Sequence, residues 1–141
     1  MNHEVIYFHE FVNLFSGKSG SGKSTAMDAM QVVLYGSIAS DFLNKAADDT
    51  KNKRSVLSYL RGEQKDGSAN REDQDFYAQI VLELEDTGTQ THSCIGVTFE
   101  VGHADQDLRK YYFFSHAGKF PEDDYLGADG LPYSTAQIRQ L

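Results

Sequence analysis

Three stretches of the chain alternate between apolar and polar side chains. Phe76, Ala78, Ile80, Leu82 and Leu84 share one side of the first, residues 76 to 85. Ile95, Val97, Phe99 and Val101 share one side of the second, residues 91 to 101, and Arg109 to Ser115 forms an aromatic third. A period of two places alternate side chains on opposite faces of a strand. Asp86-Thr87-Gly88-Thr89 and the stretch from Gly102 to Asp107 separate the runs. Such short separations predict an antiparallel meander with one face on a core and the other in water.

The first third of the chain has a different texture. Glu4 to His9 and Phe11 to Ser16 are rich in β-favouring residues and predict two strands. Residues 23 to 35 then carry Ala26, Met27, Ala29, Met30, Val32, Val33 and Leu34, bounded by Gly36. That spacing predicts a helix apolar on nearly every face, and so buried on more than one side. Residues 37 to 52 are mixed and polar, with Phe42 and Leu43 as anchors. From about Lys53 to Leu60, the positions of Val56, Leu57, Tyr59 and Leu60 fit a short amphipathic helix stopped near Gly62. Residues 62 to 75 are charged and small, the composition of a mobile surface loop. A looser tail holds Pro121, Gly127, Gly130 and Pro132, and Ser134 is placed to cap a last helix. The expected class is α/β, one unit over residues 1–141. It divides into strands, glycine loop and buried helix (1–36), a helical insertion and loop (37–75), antiparallel strands (76–116) and a tail (117–141).

Between the second strand-like run and the long helix lies Gly17-Lys18-Ser19-Gly20-Ser21-Gly22-Lys23-Ser24, followed by Thr25. It satisfies G-x-x-x-x-G-K-[ST] at every fixed position, in the order strand, glycine loop, helix. Each residue type has a physical task. Gly17, Gly20 and Gly22 allow backbone turns and close approach to phosphate oxygens. The N–H groups from Gly20 to Ser24 can face one anion-sized concavity at a helix start. Lys23 supplies a point charge for the β- and γ-phosphates, and the Ser24 hydroxyl can ligate Mg²⁺. Residues Gly17 to Thr25 are thus a candidate ATP–Mg²⁺ site, with Lys23 as its catalytic cation.

Composition narrows the remaining possibilities. The chain has 141 residues, 40% hydrophobic and 24% charged, ordinary for a modest globular domain. No apolar run reaches the ~18 residues of a membrane span, and no secretion signal is evident. The single Cys94 cannot form an internal disulfide and reads as a small core or half-core residue; these features favour the cytoplasm. A net charge of −8 argues against nucleic-acid binding by the domain as a whole. Residues 45 to 65 are the exception, with six basic residues against three acidic ones. Lys51, Lys53, Arg54 and Arg61 could contact DNA phosphates there without sequence preference; a solvated face on an acidic protein explains the patch as well. His3, His9, His92, His103 and His116 lack metal-ligand spacing, and no structural metal is expected. Tyr111, Tyr112, Phe113 and Phe114 must alternate between faces, which fits strand packing better than a base-stacking platform.

An antiparallel meander after a P-loop and helix resembles the N-terminal lobe of an ABC-type ATPase head. Within that class the chain is similar to the SMC-like ATPases of the MukB and SbcC types, and most to the SMC-like subunit of the Wadjet plasmid-defence systems. The resemblance spans about residues 5 to 116. It rests on Val12 to Thr25, Asp28-Ala29-Met30-Gln31-Val32-Val33-Leu34-Tyr35-Gly36, Phe42-Leu43-Asn44-Lys45-Ala46-Ala47, and Lys53-Arg54-Ser55-Val56-Leu57-Ser58-Tyr59-Leu60-Arg61-Gly62-Glu63. It implies a lobe that binds ATP and Mg²⁺. It also implies completion by the C-terminal half of the same head and by a second head, with DNA and other subunits as partners and no membrane. Such a family supplies the signature motif, the Walker B aspartate and the catalytic glutamate from the second half. None of these is present here, and no stretch has a coiled-coil period. The expectation is a partial head lobe. A family glutamine reaches the metal and attacking water; Gln137 is the nearest later glutamine in a helix, without flanking residues that assign it. Two other readings stay open: a self-contained small P-loop kinase or GTPase, which needs parallel strands after the helix, and a non-catalytic interaction module with a relic P-loop.

Overall fold

A computed structural model of the chain describes residues 3–35, 56–63, 66–71, 74–102, 108–115 and 125–140. In chain order the elements are α1 (Lys23–Tyr35), α2 (Val56–Arg61), β1 (Phe76–Asp86), β2 (Thr91–Val101), β3 (Leu108–Ser115) and α3 (Thr135–Ile138). The strands form one sheet in the order β1-β2-β3, both pairs antiparallel. This is the meander that the alternation predicts, and a self-contained kinase or GTPase core would need parallel strands in its place. Asp86 closes the first hairpin, its Oδ1 accepting from the N–H groups of Gly88 at 2.9 Å and Thr89 at 3.3 Å. Those bonds, Gly88 first, hold its carboxyl below the usual range.

The register explains the core. Ala78 pairs with Phe99, Ile80 with Val97 and Leu82 with Ile95, while Val97 pairs with Tyr112 across β3. This face packs against Val32 and Val33 of α1 and Val56 of α2. Val97 and Phe99 are almost wholly buried there. Burying side chains of this size stabilises by about 1.5–3 kcal/mol each. Burial also raises the phenol pKa of Tyr112.

The opposite face departs from expectation. Alternation predicts a solvated surface, but Cys94, Gly96 and Thr98 on that face are buried. The tail covers them. Tyr125 packs on Phe113 with ring centroids 5.4 Å apart, Arg139 lies 5.0 Å over the Tyr111 ring, and Ile138 is buried. Thr135 donates through Oγ1 to Glu100 Oε1 at 2.6 Å. Gly96 is required by this packing, because a Cβ there would fall on the Phe113 ring. Thr98 Oγ1 accepts from Gln79 Nε2 at 3.0 Å, so its burial leaves no unmet hydroxyl. The burial of Cys94 accords with its residue type although not with its place in the alternation, and desolvation pushes its thiol pKa up.

Two further expectations change. Residues 4–9 and 11–16 do not form strands; the segment is irregular, and Tyr7, Phe11, Val12 and Leu14 are exposed. Among the described residues no backbone lies alongside to pair with it, and a β-favouring sequence without a ladder is not a strand. Helix α1 has the predicted bounds but is covered on one side only. Asp28, Val32 and Val33 are buried, whereas Met27, Leu34 and Tyr35 are exposed. α2 ends as predicted at Gly62, whose φ of 67° suits a residue without Cβ. The following loop is tied back by the Glu63–Ala69 bridge and by Arg71 Nη1, which donates to Leu60 O at 3.0 Å. The anchors Phe42 and Leu43 lie outside the described residues.

Candidate phosphate-binding site

The glycine loop runs directly into the first turn of α1. Its geometry is set by a few short contacts. Ser21 N donates to Lys18 O at 3.2 Å, closing the loop, and Ala26 N donates to Gly22 O at 3.0 Å, starting the helix. Gly20 and Gly22 have φ of 81° and 86°, where a side chain would be strained. Gly17 has a φ of 156°, and a Cβ there would stand 2.7 Å from Ser21 Oγ unless that hydroxyl turned aside.

Lys23 folds back over this loop. Its Nζ donates to Gly17 O at 2.9 Å, Lys18 O at 2.8 Å and Ser21 Oγ at 3.2 Å. All three ammonium donors are engaged, and the charge is held at the mouth of the loop. The N–H groups at the start of α1 have no acceptor within the helix. No acidic residue lies in its first turn. Helix dipole, ammonium and N–H groups therefore present positive potential at one exposed point. A polyphosphate fits these residues: the glycines leave room, the N–H groups are donors, and Lys23 is the cation. Ser24 and Thr25 are exposed on the first helical turn, where a hydroxyl can meet a metal held by that polyphosphate.

The loop gathers Gly17 to Thr25 in one place. The other candidates lie elsewhere. Lys51, Lys53 and Arg54 are outside the described residues. Arg61 is half-buried at the end of α2, with Nη2 donating to the carbonyl of Gly102 at the end of β2. Gln137 is engaged in a capping box: its Oε1 accepts from Ser134 N at 2.9 Å, while Ser134 Oγ accepts from Gln137 N at 3.3 Å. It also sits with α3 on the sheet face away from α1, so in this arrangement its side chain does not face the loop. The sequence passed over Asp28, which is buried on α1 at four residues from both Ser24 and Val32. An acidic residue inside an apolar helix stripe is the signal that could have found it. Among the described residues no cluster of three His, Cys, Asp or Glu side chains converges, and no helix is long and apolar enough to cross a membrane.

Loop and helix together define a P-loop region of the NTPase type. Residues 1–50 match the family model described as the P-loop containing region of AAA domain. No curated protein and no solved structure gives a significant match to the chain. The match suggests nucleotide binding by this region.

Proposed function

We propose that the chain is the ATP-binding N-terminal lobe of an SMC-like, DNA-acting ATPase head of the Wadjet plasmid-defence type. The observation that carries the reading is the combination of a P-loop opening α1 with an antiparallel meander packed on that same helix. ATP and Mg²⁺ bind at Gly17 to Thr25. Lys23 neutralises the phosphates, and Ser24 holds the metal. Mg²⁺ held at Ser24 would supply positive charge that offsets the phosphates. The residues of the loop bind and orient, and a carboxylate that activates water is required besides them. That group belongs to the C-terminal half of the head, and a second head completes the site. DNA is reached through the assembled complex in the cytoplasm, without a membrane; Lys51, Lys53 and Arg54 are the candidate phosphate contacts by residue type, and Arg61 would have to release the Gly102 carbonyl to join them.

The exposed apolar side chains of residues 5–14 support the same reading, because a strand from the second half would cover them. Titration calorimetry with Mg-ATP tests the site. Lys23→Ala should weaken binding about tenfold or more, the scale of charge-assisted hydrogen bonds. Equal affinity of the two proteins would leave the loop as a relic. A turnover assay tests the class: the 141-residue chain should hydrolyse almost nothing, and steady turnover near 1 s⁻¹ or faster by the chain alone would refute the partial-head reading.

A further inference from the structure

We infer that the Ser21 hydroxyl is a placeholder for a phosphate oxygen on Lys23, and so a residue that tunes how readily the loop accepts polyphosphate. The inference rests on the phosphate-site reading above. An ammonium has three donors, and here all three are engaged. Two acceptors are backbone carbonyls, Lys18 O at 2.8 Å and Gly17 O at 2.9 Å, which belong to the loop's own framework. The third and longest bond, 3.2 Å, goes to Ser21 Oγ. A phosphate oxygen that reaches Lys23 must take over one donor. Carbonyls fixed in the loop backbone cannot move aside without reshaping it, whereas an exposed serine hydroxyl can rotate away about one bond. Ser21 is therefore the contact that is exchanged. Gly17 leaves the space the hydroxyl occupies, since a Cβ there would stand 2.7 Å from Ser21 Oγ. Gly17 thus does more than turn the chain; it admits the side chain that holds Lys23 in readiness.

Removing the hydroxyl should leave Nζ on the two carbonyls with one donor open. Two measurements on the intact chain test this. Without nucleotide, the acylation rate of Lys23 by an amine-reactive ester, followed by peptide mass spectrometry, should rise about threefold in Ser21→Ala and stay near wild type in Ser21→Thr, which keeps the hydroxyl. With inorganic tripolyphosphate as the probe, Ser21→Ala should bind about threefold to tenfold more tightly, the scale of one competing hydrogen bond. Unchanged acylation overturns the Ser21–Lys23 contact. Faster acylation with unchanged or weaker tripolyphosphate binding overturns the placeholder role and makes Ser21 a direct ligand or a bystander. Failure of the underlying reading looks different: tripolyphosphate binding would be equally absent from wild type and Lys23→Ala, whatever the acylation rates, and this inference would fall with it.

Discussion

Residues 5–14 and strand β2 are alike in β-branched aliphatic content, each with two valines and one isoleucine, and they take opposite states. β2 lies between β1 and β3, with α1 and α2 on one face and the tail on the other. Cys94, Val97 and Thr98 in it have no exposed surface. In the N-terminal segment Tyr7, Phe11 and Leu14 are 87–89% exposed. Among the described residues its closure is local. Asn13 Oδ1 accepts from His9 N at 2.7 Å, Asn13 Nδ2 donates to His9 O at 2.8 Å, and Phe8 meets Phe15 edge-on at 6.0 Å. The lesson is that β-propensity is a property of a paired and packed surface. The sheet supplies both requirements to β2 from within the chain. Nothing among the described residues supplies either to residues 5–14, although they lead straight into the phosphate loop.

The comparison can be broken most easily at the core. Phe99→Ala should cost about 3–5 kcal/mol in urea unfolding, as expected for truncating a buried aromatic residue. A loss below ~1 kcal/mol would mean that the sheet face is not the true core. Gly96→Ala tests the other face. Its methyl group falls on the Phe113 ring, and overpacking of this kind costs about 1–3 kcal/mol. If stability is unchanged, the tail does not hold Phe113 where the structure has it.

Alkaline titration gives a smaller effect with a definite sign. Burial raises the Cys94 thiol above its ordinary value of 9.0 and the Tyr112 phenol above its ordinary 10.0. A raised folded-state pKa contributes stability that is complete below the unfolded value and is lost as pH rises through the folded one. Unfolding free energy should therefore be flat with respect to these groups up to about pH 9 and fall beyond it. Cys94→Ala should remove the earlier part of that fall; an unaltered profile would show the thiol to be hydrated.

The smallest effect is expected in the N-terminal segment. Leu14→Ser in the isolated chain should change stability by less than ~0.5 kcal/mol, since the side chain touches little. A loss above ~1 kcal/mol would show packing that the structure lacks. The same contrast predicts the order of limited proteolysis, with cuts in residues 3–16 well before any in residues 91–101. Protection of the first segment on adding a completing partner would sharpen the proposal that another half-head covers it.

Local signals were strong where structure is local. Helix α1 spans the predicted residues 23–35, because a glycine loop starts it and Gly36 follows it. The strands lie within one residue of their predicted bounds, because alternation and turn residues mark both ends. Ser134 caps α3 as its position suggested. Prediction failed where partners decide the outcome. Seven apolar residues on α1 could not reveal that only one side would be covered. Alternation in β2 indicated one buried face, and the tail that covers the second lies more than twenty residues further on, with no periodicity of its own.

The amino-acid sequence by itself determined the phosphate loop, the helix that opens from it and the pairing order of the meander. Each follows from residue types at fixed short spacing: glycines for the turns, a lysine and a hydroxyl directly after the last of them, and a period of two for the strands. Only the tertiary structure decided that Lys23 rests on Gly17, Lys18 and Ser21, that Gln137 is engaged in its own helix cap, and that β2 is enclosed on both faces while residues 5–14 are not. Those outcomes depend on which distant surfaces meet. Burial is a relation between segments, and a pattern within one segment carries only half of it.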